Sequence, residues 1–195
     1  MLKIDPVKVK RRVKPWLRPR ELDRLAAVAR NDHQAFELWF FAWTGARVGE
    51  ASQVRLRDVD LTGSGRITIA GIKTDAAVRT IPLHPELRPL LIRHIERMQA
   101  GGFGATTPIL HTGHGTPLKQ QQIGCWLAEM GERAGVGRVN AQMLRRSYGS
   151  NLLNKGLRVE VVSKLMGHAN VRVTMESYAE LLPSQLEAEF FAICR

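Results

Sequence analysis

Apolar residues recur at helical spacing along most of this 195-residue chain, and this periodicity constrains its fold more than any other feature. One short region departs from it. In RITIAGIK and AVRTIPL, apolar and polar residues alternate with the two-residue period of strands, which predicts a β-hairpin with Lys73 near its tip. We therefore expect a mainly α-helical domain with a small antiparallel β-sheet (α+β). The helical segments are PRELDRLAAVAR, HQAFELWFFAW, VGEASQVRL, ELRPLLIRHIERMQ, PLKQQQIGCWLAEMGERAG and AQMLRRSYGSNLLNKG, with RDVDLTGSG as a turn.

Two more helices are expected on either side of a corner near the C-terminus. Gly167 suits the left-handed position that ends a helix through VEVVSKLM, and Asn170 suits the N-cap of the next helix. On one unbroken helix, His168 and Tyr178 would lie roughly 15 Å apart. The predicted turn instead allows both side chains to reach one site.

The charge of the chain points to its partner. There are 29 Lys and Arg against 18 Asp and Glu, a formal net charge of +11, and the sequence pI is near 10.5. Such an excess favours a polyanion, and we expect double-stranded DNA. Residues 1–14 are interpreted as a basic DNA-binding arm, the alternative being a solvated tail that only aids solubility. The arm cations proposed to contact DNA are Lys8, Lys10, Arg11, Arg12 and Lys14.

Several classes of protein are disfavoured. The chain has no run of 18 apolar residues, and MLKIDPVKVKRR lacks the features of a signal peptide, so we expect a cytoplasmic protein with no membrane partner. Cys125 and Cys194 lie far apart, which argues against a disulfide framework or a structural zinc site. No obvious cluster of carboxylates suggests a metal-dependent nuclease. We expect no metal, no cofactor and no small-molecule substrate.

Two arginines are expected at helix starts. Arg47 follows a break at TGAR, and Arg145 is expected in the first turn of a helix capped by Asn140. Backbone N–H groups at a helix start favour an anion, and two guanidinium groups there can fork around a phosphate. Glu50 can reach back to orient Arg47 or to cap the local helix. Taken singly, an arginine at such a position is more often a surface residue or an ion-pair partner than a phosphate ligand.

The order of these residues resembles one family. The chain contains, in sequence, TGARVGEASQVRLRDVDL, KTDAAVRTIPL, QMLRRSYGSNLL and MGHANVRVTMESYAELLP. These segments are similar to the successive boxes of the tyrosine recombinase (phage integrase) catalytic domain. The resemblance suggests a catalytic domain over 15–183 and a C-terminal helical tail over 184–195 that protomers could exchange. The length resembles short stand-alone recombinases such as fimbrial-switch invertases, and Met1 and the compact ends favour a natural short enzyme over an excised domain.

The resemblance implies a chemical role for each residue of the site. Tyr178 would attack a DNA phosphodiester, form a 3′-phosphotyrosyl link and release a 5′-hydroxyl. Arg47 and Arg145 would hold the non-bridging oxygens and neutralise the charge of the transition state. His168 would hydrogen-bond the same phosphate. The family also implies that four protomers assemble on two duplexes, so a homotetramer on DNA is expected.

Lys73 would be the general acid for the departing 5′ oxygen, and Glu50 would support Arg47. The chain departs from the family pattern at Gln142, where the family usually has histidine. An amide can donate a hydrogen bond to a phosphate but carries no proton at neutral pH. A second departure is that only the arm precedes the catalytic boxes, where most family members have a helical domain that closes a clamp on DNA.

Two alternatives to a site-specific recombinase or integrase remain open at this stage. Type IB topoisomerase-like relaxation uses the same phosphotyrosyl chemistry without pairing two DNA sites. A non-catalytic DNA-binding or regulatory protein on the same fold is made credible by Gln142. Pairing of two DNA sites would distinguish a recombinase from a topoisomerase-like enzyme. Covalent capture of DNA would distinguish either enzyme from the non-catalytic DNA-binding protein.

Overall fold

The structure is a computed structural model that describes residues 15–71 and 78–179. Helices dominate these ranges, as the apolar periodicity predicts. The predicted arm (1–14), Lys73 and the predicted tail (184–195) lie outside the described residues. The helices are α1 (Pro19–Ala27), α2 (Asp32–Thr44), α3 (Val48–Ala51), α4 (Leu87–Ala100), α5 (Gln120–Arg133), α6 (Ala141–Asn154), α7 (Val159–Met166) and α8 (Val171–Ser177).

A small antiparallel sheet packs beside the helices, with its strands in the order β1-β2-β3. β2 and β3 are the strands of the predicted hairpin, with Ile67 opposite Ile81. The interpretation of RDVDLTGSG as only a turn was incomplete, because Val59 pairs with Ile67 as part of an edge strand. Two residues are too few to display a two-residue period. The strands are β1 (Val59–Asp60), β2 (Arg66–Ile69) and β3 (Arg79–Pro82).

Helix α2 runs through the centre of the main core and packs against α4 and α6. It is apolar around most of its circumference, which suits a buried helix. Phe36, Leu38, Phe40 and Phe41 are each at most 1% exposed. A second, smaller cluster joins α6 and α7 to the residue that follows α8, so the corner near the C-terminus is fixed against α6. Its buried members are Tyr148, Leu153, Val162, Met166 and Tyr178.

The part of the chain that the structure describes has no helix with both the length and the hydropathy of a bilayer span. It also has no group of three or more His, Cys, Asp or Glu side chains arranged to hold a metal ion. Cys125 lies exposed on α5.

Candidate active site

The break between α2 and α3 positions Arg47 and Glu50. Gly45 ends α2 with φ of 58°, in the left-handed region that favours glycine, and so allows the chain to turn sharply. Arg47 then stands at the N-cap of α3. Glu50 Oε2 accepts a hydrogen bond from the Arg47 backbone N–H at 3.0 Å, and Oε1 accepts one from Arg47 Nη1 at 2.6 Å. Glu50 therefore both caps the short helix and orients the arginine.

Arg145 lies in a different place from the one expected. Asn140 does cap α6, since its side chain accepts from the Met143 N–H at 2.9 Å, but Arg145 is in the second turn rather than the first. Its guanidinium reaches away from its own helix and donates to Gly45 O at 2.5 Å and to Met166 O at 2.6 Å. These carbonyls are at the C-terminal ends of α2 and α7, where a helix favours a cation. Arg145 thus joins three helices in the core of the site.

A third arginine, Arg79 at the start of β3, was missed by the sequence reasoning. Its Nη2 donates to Glu50 Oε2 at 2.9 Å, and its Nε donates to Leu165 O at 2.9 Å. The side chain is only 7% exposed. A signal was present, because the two-residue period of β3 puts Arg79 on the same inward face as Ile81. A charged residue on the buried face of a strand indicates a specific partner inside the protein.

One carboxylate therefore lies among three arginines. Glu50 pairs with Arg47 and Arg79, and its Oε2 lies 4.0 Å from Arg145 Nη1. Burial alone would raise the pKa of Glu50, but hydrogen bonds from Arg79 and Arg47 outweigh burial and lower it, so the group is ionised. Burial and the charge of Arg47 lower the pKa of Arg145 to about 10, which still leaves it charged at neutral pH. Three positive charges against one negative charge favour the binding of an anion here.

The corner after α7 is built as the sequence predicts. Gly167 ends the helix with φ of 64°, and the Asn170 side chain accepts from the Arg172 N–H at 2.8 Å at the start of α8. His168 Nδ1 lies 2.7 Å from Thr174 Oγ1. Burial and the charge of Arg145 lower the pKa of His168 to about 4, with Arg47 and Arg79 acting in the same direction. His168 is therefore neutral at physiological pH.

Tyr178 follows α8 directly and contacts residues on both sides of the same corner. Its backbone N–H donates to Thr174 O at 3.0 Å, so Thr174 contacts Tyr178 through its main chain and His168 through its hydroxyl. The Tyr178 hydroxyl donates to Met166 Sδ at 3.3 Å, and the residue is 4% exposed. Burial raises the pKa of Tyr178 to about 12, although Arg145 opposes this effect. In this conformation the phenol is neutral and faces the interior.

A surface groove of about 620 Å³ opens beside Arg47. Arg47 lines it from α3, and Gln142 lines it from the first turn of α6, where its side chain is exposed. Gln120, the first residue of α5, also lines it. The starts of three helices thus surround an open space next to Arg47, which suits a negatively charged ligand.

The structure brings five of the sequence-predicted residues together. Arg47, Glu50 and Arg145 are linked through the carboxylate, and the charges of Arg47 and Arg145 act on His168. Tyr178 and Arg145 both bind Met166, through its sulfur and its carbonyl oxygen respectively. These contacts form a compact, positively charged site with a buried phenol at its edge.

Comparison with known proteins gives a family match. A model of the phage integrase family matches residues 15–185. Tyrosine recombinase XerC of Roseiflexus castenholzii is 29% identical over 184 residues, which cover 88% of this chain and 57% of the relative. Tyrosine recombinase XerD of Mycobacterium tuberculosis is 34% identical over 136 residues, which cover 67% of this chain and 42% of the relative. The chain thus spans about half the length of these curated relatives.

Solved structures share the architecture. The crystal structure of XerA recombinase matches with a TM-score of 0.79 and 22% identity, covering 92% of this chain and 65% of that one. The catalytic domain of bacteriophage HP1 integrase matches with a TM-score of 0.64 and 22% identity, covering 89% of this chain and 92% of that one. The predicted fold, mainly α-helical with a small antiparallel sheet, is confirmed.

Proposed function

This chain belongs to the phage integrase family, and we propose that it is a site-specific DNA recombinase that breaks and rejoins strands through a 3′-phosphotyrosyl intermediate. In the proposed reaction, the Tyr178 oxygen attacks the scissile phosphorus and loses its proton as the new bond forms. The bond from phosphorus to the 5′ oxygen breaks, and that oxygen receives a proton. The phosphodiester energy is kept in the phosphotyrosine, so that a second 5′-hydroxyl can reverse the step on a new partner strand.

The observation that carries the proposal is the surplus of positive charge around Glu50. Arg47 and Arg145 would bind the non-bridging oxygens of the phosphate, where negative charge builds up as the phosphorus becomes five-coordinate. Arg47 is suited to this role because its side chain is 46% exposed, beside the open groove. Neutral His168 would donate a hydrogen bond from Nε2 when its Nδ1 accepts one from the Thr174 hydroxyl.

Lys73 is the proposed general acid for the 5′ oxygen, and Gln142 the proposed neutral donor to the phosphate. Lys73 lies outside the described residues, so its assignment depends on the match of KTDAAVRTIPL to the family pattern. Gln142 shares its groove with Arg47, which is consistent with contact to the same phosphate. With an amide at position 142, proton transfer to the leaving group would fall mainly to Lys73.

The proposed substrate is double-stranded DNA in the cytoplasm, bound by the groove and by the arm over residues 1–14. We further propose that four protomers assemble on two duplexes and that residues 184–195 dock on a neighbour. In that tail Leu186, Phe190 and Ile193 recur at helical spacing. Truncation after Pro183 is expected to reduce assembly on DNA, measured by light scattering, and unchanged assembly would remove the tail from the proposal.

The decisive experiment is covalent capture on a suicide substrate with a nick just 3′ of the scissile phosphate. The short 5′-hydroxyl fragment diffuses away after cleavage, so a covalent complex accumulates and is seen on a denaturing gel. Candidate sites are inverted or direct repeats in the DNA that flanks the coding region. Tyr178→Phe keeps the ring and removes the nucleophile, so it should bind this DNA and give no adduct. An adduct that survives Tyr178→Phe would mean that another residue is the nucleophile.

Two features favour one competing function, a DNA-binding protein that does not cleave. Tyr178 is buried with its hydroxyl on Met166, and Gln142 replaces the usual histidine. Wild-type protein that binds its repeat DNA without forming an adduct would support this alternative. Relaxation of a supercoiled plasmid without pairing of two sites would instead support a topoisomerase-like activity.

A further inference from the structure

Arg79 contacts two parts of the candidate site, Glu50 in α3 and the C-terminal end of α7. Its Nη2 binds Glu50, its Nε binds Leu165 O, and its Nη1 is buried without a hydrogen-bond partner in the described part of the chain. Nη1 packs against Gly167, where an added Cβ would lie only 2.8 Å away. Glu50 is 29 residues from Arg79 and Leu165 is 86, so Arg79 joins parts of the chain that are distant in sequence.

Glu50 Oε2 is the point at which Arg79 affects the other arginines. This oxygen accepts from Arg79 Nη2 at 2.9 Å, while Arg145 Nη1 lies just beyond contact at 4.0 Å. The carboxylate is 2% exposed, so water contributes little to its solvation and nearby cations must stabilise its charge. Arg79 and Arg145 therefore compete as guanidinium partners for one oxygen, and in this structure Arg79 binds it together with the Arg47 backbone N–H.

We propose that Arg79 is a positioning residue for cleavage: together with Arg47 it neutralises Glu50, so that Arg145 keeps its place between Gly45 O and Met166 O beside the proposed phosphate site, and it anchors the end of α7. This proposal rests on the proposed function. Without Arg79, the buried carboxylate would draw Arg145 across a gap of about 1 Å to contact. Arg145 would then lose its alignment with the phosphate, even though the substituted residue, Arg79, does not itself contact DNA in the proposed complex.

The second part of the role follows from the end of α7. Arg79 Nε binds Leu165 O, and Arg145 Nη2 binds the next carbonyl, that of Met166, at 2.6 Å. Two guanidinium groups thus cap the consecutive carbonyls that precede Gly167, where the negative end of the helix dipole favours cations. Loss of Arg79 would leave Arg145 as the one guanidinium described at these two carbonyls, at the same time as Glu50 draws Arg145 away.

The test compares Arg79→Met, Glu50→Gln and the double variant in single-turnover cleavage of the nicked suicide substrate, with DNA affinity measured in parallel. Displacement of a positioned group by about 1 Å can cost roughly 100-fold in rate, and we expect such a loss for Arg79→Met with DNA affinity within about threefold of wild type. Glu50→Gln removes the charge that captures Arg145. The double variant should therefore cleave faster than Arg79→Met alone. Independent substitutions would instead multiply their losses in cleavage rate, so this result would show that the two residues are coupled.

Arg88→Met is the matched control. Arg88 is a partly buried arginine that donates to a backbone carbonyl, Leu61 O at 3.2 Å, and it too has a buried nitrogen, Nε, without a partner in the described residues. Its substitution should lower the thermal unfolding temperature but leave the cleavage rate of the folded protein unchanged. If Arg79→Met and Arg88→Met reduce stability and rate in parallel, Arg79 has only a structural role.

A methylphosphonate at the scissile position gives a readout that a structural role would not change. It removes the charge of one non-bridging oxygen, so cleavage depends less on the arginines, and the ratio of wild-type to Arg79→Met rates should shrink. If Arg79→Met does not fold, Arg79→Gln is tested in the same way, since an amide keeps a hydrogen-bond donor but not the charge that neutralises Glu50. An undiminished ratio, or a double variant slower than Arg79→Met, overturns the inference. Wild-type protein without any adduct overturns the proposed function itself.

Discussion

The hydroxyl of Tyr178 donates a hydrogen bond to the sulfur of Met166 at 3.3 Å, inside the cluster that joins α6 to α7. The carbonyl oxygen of the same methionine accepts from Arg145. The proposed nucleophile and a proposed phosphate ligand are thus fixed to one residue, while the phenol stays buried. To attack a phosphate, Tyr178 must leave the sulfur, so the described conformation is a resting arrangement of the proposed active site.

Phenol ionisation in the free protein tests this burial. Tyr148 and Tyr178 are the only two tyrosines of the chain, and burial raises the pKa of each to about 12. At pH 10 the folded protein should hold roughly one phenolate per hundred tyrosines, against about half in urea. Their contribution to stability is present below pH 10 and lost as pH rises through 12. Ultraviolet absorbance measures the phenolate, and half-ionisation near pH 10 with intact circular dichroism would contradict the burial.

A glycine inside α6 provides a test of the tyrosine pocket. A Cβ on Gly149 would overlap the Tyr178 hydroxyl and lie 2.9 Å from Met166 Sδ. Gly149→Ala should therefore destabilise the protein by roughly 1 to 3 kcal/mol, although alanine gains about 1 kcal/mol in helix propensity. Gly124→Ala is the control. Gly124 in α5 faces open space, so this variant should show only the stabilisation from higher helix propensity. Urea unfolding measures both, and equal effects would show that Tyr178 does not occupy this pocket.

A cluster of histidines predicts acid sensitivity. His94 donates to Ile109 O at 2.8 Å and stacks on Phe36, and burial lowers the pKa of His94 to about 4. Because the unfolded chain takes up this proton near pH 6.5, stability is complete above that pH and falls between 6.5 and 4.

Removal of the buried imidazole should weaken that dependence. His94→Gln is expected to reduce the loss of unfolding free energy between pH 7 and pH 5 by roughly 1 to 2 kcal/mol. The comparison with wild type is needed because the hydrogen bond with Glu37 raises the pKa of His33. Protonation of His33 therefore stabilises the folded protein at low pH, opposite to the effect of His94. Chemical unfolding at both pH values measures the difference. Identical pH dependence in the two proteins would mean that His94 is not the group that titrates.

Gln142 should be a tuning position for cleavage. A neutral amide stabilises the charge of the transition state less than a residue able to carry a proton. Gln142→His is therefore expected to raise the single-turnover cleavage rate about tenfold to hundredfold, or ~1.4 to 2.8 kcal/mol. Gln142→Ala serves as the control and should lower the rate. A fall in rate with histidine would show that the groove beside Arg47 is adapted to the amide.

The arm should contribute to DNA affinity in a salt-dependent way. Each cation that contacts a phosphate adds about 0.9 to the slope of log K against log salt. Deletion of residues 1–14 should weaken binding and reduce that slope. The matched control keeps the length of the arm and replaces Lys8, Lys10, Arg11, Arg12 and Lys14 with glutamine. The same slope in all three proteins, measured by titration of labelled DNA, would exclude the arm from the interface.

The local structure of the site was predictable from the residue types at its helix ends. Gly45 and Gly167 end helices in the left-handed conformation, and Asn140 and Asn170 cap the helices that follow, as their residue types predict. These features depend on backbone dihedrals and on hydrogen bonds between residues two or three positions apart. The helical periods and the hairpin were predictable for the same reason. The capping contact from Glu50 to Arg47, three residues away, also belongs to this group.

The arrangement of the charged side chains in the site, by contrast, depends on the tertiary fold. The Arg145 side chain binds Gly45 O, which is 100 residues away in the sequence, and Arg79 pairs with Glu50, which is 29 residues away. The edge strand at Val59 likewise exists only because β2 lies beside it. A sequence pattern reports which face of an element is apolar, but it does not specify which distant carbonyl or carboxylate meets a buried cation. That choice depends on packing, because a buried guanidinium must find its acceptors wherever the fold places them.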